Sequence, residues 1–242
     1  MSELITPLSP QDLFTESSTQ GLPLGAKGET KDGRQFRYVR GNSSTALVAG
    51  NLLQSPAQVA NHLSLAVASA AAIGDTQVTV TLGGTAATAN QYREGYLITS
   101  STPGHGYSYK IKSHPAQSTT TGNVTLTLED PLLVALTTSS TVDLCLNPYN
   151  NVIQSPTTET GVPVGVAQFV NTVSYYFWIQ TRGVASVLSQ GGTNVGETVV
   201  VSNGTAGAVE TGADATDAQP IVGAAINTVS DTQNCAINLC ID

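Results

Sequence analysis

The chain has 242 residues, of which only 11% are charged and 5% aromatic, with 23 glycines. Ordinary soluble domains carry about a quarter charged residues, so Thr, Ser, Asn and Gln supply the polar surface here, as suits faces covered by neighbours. The net charge of −8 gives an acidic body, which argues against nucleic-acid binding because that needs a broad basic face.

The charge is uneven along the chain. Residues 1–40 balance five basic side chains, Lys27, Lys31, Arg34, Arg37 and Arg40, against five acidic ones, whereas the remainder holds four basic against twelve acidic. The Met1–Gly33 stretch has no sustained period and is broken by Pro7, Pro10, Pro23, Gly21, Gly25 and Gly28. It reads as an extended N-terminal arm that cannot bury a core alone. Its spaced apolar residues, Leu4 to Leu24, favour an arm lying along a partner or its own body, with a short helix at Pro10–Phe14. The opening residues lack a basic then apolar leader, so no secretory signal is expected. No apolar run reaches the roughly 20 residues of a membrane helix.

Short strands follow. Arg34–Arg40 alternates, with Phe36 and Tyr38 on one face beside Arg34 and Arg40, and with Arg37 opposite. Strand signals recur at Gln77–Leu82, Gly95–Thr99, Tyr107–Lys112, Asn123–Leu128 and Thr141–Leu146, bounded by Gly, Pro and Ser/Thr clusters. Beyond that short N-terminal helix, the one plausible helix is the Ala-rich Ala57–Ala72. After a looser stretch around Pro156, strands resume at Gly165–Val170, Ser174–Thr181, Thr198–Ser202, Pro220–Ile226 and Cys235–Ile241. The spacing predicts an all-β protein of two small antiparallel sandwich- or barrel-like domains behind the arm: residues 1–33 arm, 34–150 first β domain, 151–161 linker, 162–242 C-terminal β domain.

Signs of chemistry are sparse. There is no nucleophile elbow, phosphate loop, zincin helix or dinucleotide fingerprint, and no catalytic residue or cofactor is expected. A metal at His105 and His114 is conceivable across a bend, against the alternative that both are loop residues. Asp214 and Asp217 sit in a Gly/Ala/Thr-rich loop without EF-hand spacing. Glu129 and Asp130 read as a strand terminator. Cys145, Cys235 and Cys240 are read as small buried apolar residues, the last two on opposite faces of one strand. The run Tyr175–Ile179 sets Tyr175, Phe177 and Ile179 on one face and Tyr176 and Trp178 on the other. One face is expected in the core and the other, Tyr176 and Trp178, against another domain or subunit, with a glycan-stacking platform as the rival.

The order of segments resembles head decoration (cement) proteins of tailed bacteriophages. The resemblance runs through Asp32–Arg40, Thr45–Gln54, Thr88–Leu97, Gly106–Pro115, Leu128–Leu132, Trp178–Gly183, Gly196–Val200 and Ile221–Ile226. It implies a non-enzymatic virion protein on the outer surface of the expanded head, bound to the major capsid protein as a homotrimer at threefold positions. It implies no cofactor, nucleic acid or membrane. The arm with Lys27, Lys31, Arg34, Arg37 and Arg40 is the expected capsid contact, and Tyr176 and Trp178 the expected trimer packing. A tail- or fibre-associated glycan-binding adhesin is the alternative, and a cell-wall hydrolase a third class.

Overall fold

A computed structural model of the chain describes residues 5–212 and 219–242. It is all-β, and the chain divides into two compact units: Met1–Ala57 with Pro148–Asp242, and Gln58–Asn147. In chain order the first unit supplies β1 (Thr6–Leu8), a 3-10 turn at Asp12–Phe14, β2 (Lys27–Thr30), β3 (Gln35–Arg40) and β4 (Leu52–Gln54). The second unit has a 3-10 turn at Ala60–His62, then β5 (Leu65–Ala66), β6 (Gln77–Thr81), β7 (Tyr96–Thr99), β8 (Ser108–Ser113), β9 (Asn123–Leu128) and β10 (Thr141–Cys145). The first unit resumes with β11 (Ile153–Gln154), β12 (Pro163–Val166), β13 (Tyr176–Leu188), β14 (Thr198–Val201), β15 (Val209–Thr211), β16 (Ile221–Ala225) and β17 (Asn234–Cys240).

Period-two alternation builds the second unit. Val78 and Val80 on β6 and Val124, Leu126 and Leu128 on β9 point inward, while Thr79 and Thr125 face out and share a 2.9 Å hydroxyl contact. The antiparallel order is β5-β10-β7-β8-β9-β6. Val67 bridges Val80, and the Ala68 N–H donates to the Thr79 carbonyl at 2.8 Å, so the two ends of the sheet meet and a barrel closes. This near-closure shortens the edge left open to other chains. Leu65, Leu97, Ile111, Val142 and Leu144 complete its core.

In the first unit the sheet order is β1-β2-β3-β13-β17-β16-β14-β15, with β4, β11 and β12 branching from it. β13 is the hub: its first half pairs with β3 and its second with β17, across a bulge between Gln180 and Arg182. The strand runs on through Gly183 (φ +83°), past the expected end at Thr181. Past its end, Gln190 N–H donates to the Val209 carbonyl at 2.8 Å. The strands β13, β17, β16, β14 and β15 thereby form a second ring around Val187, Val199, Val201, Val209, Val222, Ile237 and Leu239. Val39, Leu53, Phe177 and Ile179 form a further core. Leu8, Leu13, Phe36, Tyr38 and Trp178 form another.

Two expectations change and one is narrowed. The partition at 151–161 is replaced by an insertion: β3 and β4 belong with residues 148–242, because β13 pairs with β3 and β12 with β4. The described part of the 1–33 arm is woven into the sheet through β1 and β2, paired in parallel, so it lies along its own body. The Ala57–Ala72 helix does not form; that stretch gives a 3-10 turn and β5, because Leu65 and Val67 are needed inside the barrel.

Candidate functional site

The basic cluster lies on β2, β3 and the turn between them. Lys27 and Arg37 are cross-strand partners. Arg37 is the centre of a clasp: its Nε and Nη2 donate to the two carboxylate oxygens of Asp242, the latter at 2.7 Å, and Nη1 donates to the Gly25 carbonyl at 2.8 Å. Its guanidinium also lies 5.9 Å from the Tyr149 ring centre. The hydrogen bond from Arg37, with the Arg37, Lys27 and Arg182 charges, holds the Asp242 carboxyl below its ordinary range. Fork-on-carboxylate pairing of this kind combines charge with fixed geometry.

The other cations are also committed, with one exception. Arg34 Nε donates to Asp32 at 2.8 Å and the guanidinium stands 5.8 Å from the Phe36 ring centre. Arg40 Nε donates to the Ser174 carbonyl at 3.3 Å. Lys31 sits exposed on the β2–β3 turn. Of the five residues expected to form one docking patch, the structure therefore brings Lys27 and Arg37 together around an internal carboxylate. It spends Arg34 and Arg40 on local contacts. Asp242 lies 205 positions from Arg37, too far for any local pattern to pair them.

Tyr176 and Trp178 do share a face opposite Phe177 and Ile179, as alternation predicts. That face is covered by the chain's own N-terminal segment. Trp178 is only 6% exposed, against Leu8, Leu13 and Phe36, with Tyr38 edge-on at 5.3 Å. Tyr176 is half-buried and stacks on Tyr38 at 6.1 Å. Gly28 is essential to this cover: a Cβ there would lie 2.5 Å from Leu8 Cδ1 and 2.8 Å from Trp178 Cζ3. Trp178 is thus a core residue of the first unit and offers no surface for trimer packing.

A buried polar cluster in the second unit was not foreseen. The 3-10 turn at Ala60–His62 and the turn before β7 place His62, Tyr92 and His114 together. The Tyr92 hydroxyl bonds His62 Nδ1, while His62 Nε2 lies 2.8 Å from the Thr85 carbonyl. The carbonyl fixes a proton on Nε2, so the Tyr92 hydroxyl donates to Nδ1. His114 Nε2 accepts the Tyr92 backbone N–H at 3.0 Å, and Nδ1–H donates to the Pro115 carbonyl at 2.8 Å. Burial pushes the Tyr92 hydroxyl up and the His114 imidazole down. His114 is 4% exposed whereas His105 lies out on its turn, so the two do not form the conceivable metal pair, and His114 is not a loop residue in solvent. Among the described residues no group of three His, Cys, Asp or Glu side chains is placed to hold a metal. Asp214 and Asp217 lie outside the described residues.

The three cysteines are free thiols of different burial: Cys235 buried, Cys145 intermediate, Cys240 exposed. Only Cys235 matches the expected buried role, although the opposite facing of Cys235 and Cys240 on β17 holds. Burial and then the Asp143 charge raise the Cys145 thiol. Beside the outer threonines of β6 and β9 runs a polar groove of about 420 Å³, lined by Ser69, Asp75, Thr76, Gln77, Thr79 and Thr125. Its one ionisable side chain, Asp75, accepts the Ala72 N–H at 2.7 Å. No helix among the described residues is long and apolar enough to cross a membrane. Compared with protein-family models, curated proteins and solved structures, the chain matches none.

Proposed function

We propose that the protein is a structural virion component that binds the outer surface of an expanded phage head, as a self-associated oligomer, and stabilises it without catalysis. The observation that carries this reading is the serial order of segments resembling phage cement proteins. These segments fall on β3, β4, the turn into β7, β8, the end of β9, β13, β14 and β16, and so run through the framework of both units. Head expansion exposes new inter-subunit surface, and a chain that prefers that surface stabilises the mature state by mass action. Repeated copies raise effective concentration, so weak single contacts suffice. Lys31, exposed on the β2–β3 turn, is the member of the basic cluster best placed to meet an acidic capsid surface.

The adhesin reading is favoured by one observation. Tyr107 is 40% exposed and stacks on Tyr109 at 6.4 Å, which presents an aromatic face of the kind sugars stack on.

The deciding experiment is co-sedimentation of the purified chain with expanded, undecorated capsids beside unexpanded procapsids. Saturable binding to the expanded form alone is the expected result. Binding to neither form, together with glycan binding lost on Tyr107→Ala, would replace the capsid reading by the adhesin one.

A further inference from the structure

Elsewhere on the second unit, polar side chains serve the chain's own turns. Gln117 Oε1 accepts the Thr119 N–H at 3.1 Å, and Gln91 Oε1 accepts the Thr88 N–H at 3.0 Å. The groove beside β6 and β9 differs. Its floor is the outer face of the two strands, where Thr79 and Thr125 are cross-strand partners. Its wall is the segment 69–76. Ser69, Thr76 and Gln77 line it, and their side chains hydrogen-bond to nothing else among the described residues. Asp75 commits one carboxylate oxygen to the Ala72 N–H, and its other oxygen has no partner among the described residues.

The wall is held by backbone hydrogen bonds, so the groove exists before any ligand arrives. Ala68 N–H donates to the Thr79 carbonyl, Leu128 N–H to the Thr76 carbonyl and Leu132 N–H to the Asp75 carbonyl, each at 2.8 Å. A preformed site avoids the cost of ordering a loop on binding. The volume of about 420 Å³ falls within the range of about 300–1,000 Å³ typical of small-ligand sites.

The lining selects the class of ligand. Asp75 is its one ionisable side chain and is negative, so phosphate, sulfate and carboxylate groups are repelled. Its apolar side chains are only Ala70 and Ala71, too little to hold a lipid or an aromatic ligand. β9 is paired on both sides, and β6 gives its Thr79 carbonyl to Ala68, so a peptide has little strand edge to extend. A neutral ligand dense in groups that both donate and accept fits what remains. Sugar hydroxyls do both, as do the Ser69, Thr76 and Gln77 side chains. Ile73, 69% exposed, stands on the Ala72–Asp75 turn and offers an apolar edge to the C–H face of a sugar ring.

We propose that this groove of the second unit binds a neutral oligosaccharide, with Asp75 and Gln77 as its principal hydrogen-bonding residues. The activity is additional to capsid binding and does not rest on it.

The test is isothermal titration calorimetry of the full chain with neutral oligosaccharides of glucose, galactose and mannose, beside their sulfated and carboxylated counterparts. Wild type is compared with Gln77→Ala and with Asp75→Asn, which keeps an oxygen for the Ala72 N–H. At least one neutral oligosaccharide is expected to bind saturably, and its charged counterparts more weakly. Each variant is expected to weaken that binding about tenfold, with unchanged thermal melting. No binding of any neutral oligosaccharide overturns the inference, as does equal or tighter binding of the charged ones. Binding indifferent to both variants also overturns it, and if Tyr107→Ala then abolishes that binding, the sugar site lies at Tyr107. A chain that binds sugar through the groove but ignores expanded capsids upholds the inference and defeats the capsid reading. One that binds expanded capsids but no sugar does the reverse.

Discussion

Trp178→Ala separates a core residue from a subunit contact. The ring is 6% exposed among Leu8, Leu13, Phe36 and Tyr38, and Tyr38 meets it edge-on at 5.3 Å and 61°. Truncating a buried tryptophan costs about 3–5 kcal/mol, because the surrounding structure refills the cavity only in part. The edge-on pair accounts for about 0.5–1.5 kcal/mol of that. Against a domain stability of about 5–15 kcal/mol the loss is severe. Gly28→Ala strikes the same cluster from β2, where the added methyl would meet Leu8 at 2.5 Å and the indole at 2.8 Å. Overpacking of this sort costs about 1–3 kcal/mol, and it keeps the single tryptophan as a fluorescent reporter. Urea unfolding, followed by circular dichroism for Trp178→Ala and by fluorescence for Gly28→Ala, gives the stability change. Hydrogen exchange locates it. Faster exchange over residues 5–30 is expected in both variants, since Leu8 and Leu13 lose the surface that holds their segment down. Were Trp178→Ala to leave stability within about 0.5 kcal/mol and residues 5–30 protected while changing the oligomeric state, the packing argument would be refuted.

Three further outcomes follow from the sites described. Breaking the clasp by Arg37→Ala or Asp242→Asn is expected to cost about 1 kcal/mol, discounted because both side chains are about a quarter exposed (23% and 26%), and a double-mutant cycle should show the two losses are not additive. Because the Asp242 pKa is depressed in the fold, the contribution is present above the ordinary carboxylate value and disappears as pH falls through the folded one; additive losses would sink the pairing. The His114 imidazole is likewise depressed by burial, against an opposing effect from its hydrogen bond to the Pro115 carbonyl and with a lesser further lowering by His62. Stability of the second unit should therefore be full above pH 6.5, the ordinary value, and decline as pH falls toward the folded one, since a proton on Nε2 faces the Tyr92 N–H. His114→Gln is expected to flatten that slope in thermal melts from pH 7 to 5, with His62, Tyr92 and Cys145 as the other titratable groups beside it; an unchanged slope would assign it elsewhere. Finally, residues 58–147 expressed alone should fold cooperatively, because the unit is contiguous, its barrel closes internally, and Gln58 Oε1 accepts the Leu146 N–H at 2.7 Å where its two ends meet; residues 148–242 alone should not fold, having lost β3 and β4, and a folded 148–242 fragment would contradict the insertion.

Local alternation made most strands legible. Gln77–Thr81, Asn123–Leu128 and Thr141–Cys145 form where Val and Leu alternate with Thr, Gln, Asn, Asp or Cys, because one face of each must enter a core. Short elements such as β1, β2 and β15 were not legible: three or four residues carry too little period, and each exists only because a distant strand completes its hydrogen bonds. The domain boundary failed for a related reason. Loose composition around Pro156 resembles a linker, but β11 and β12 on either side of it both pair with β4, and nothing local announces a partner a hundred residues earlier. Alternation sorts the aromatic run into its two faces, yet what covers each face depends on where the arm lies. The histidine cluster and the Arg37–Asp242 clasp were illegible because their members meet only through closure of the sheets.

The sparse charge of the chain has an internal explanation that composition alone concealed. Its Asn, Gln, Ser and Thr side chains satisfy backbone groups in the turns that link so many short strands. Asn171 Oδ1 accepts the Leu47 N–H at 2.7 Å, Asn147 Nδ2 donates to the Glu94 carbonyl at 2.9 Å, and Asn227 Oδ1 accepts the Ala236 N–H at 2.8 Å. Charged side chains serve such turns poorly when the turn is half-buried, because desolvating an ion costs more than desolvating an amide. Low charge in the turns is therefore a requirement of this fold and says nothing about neighbours.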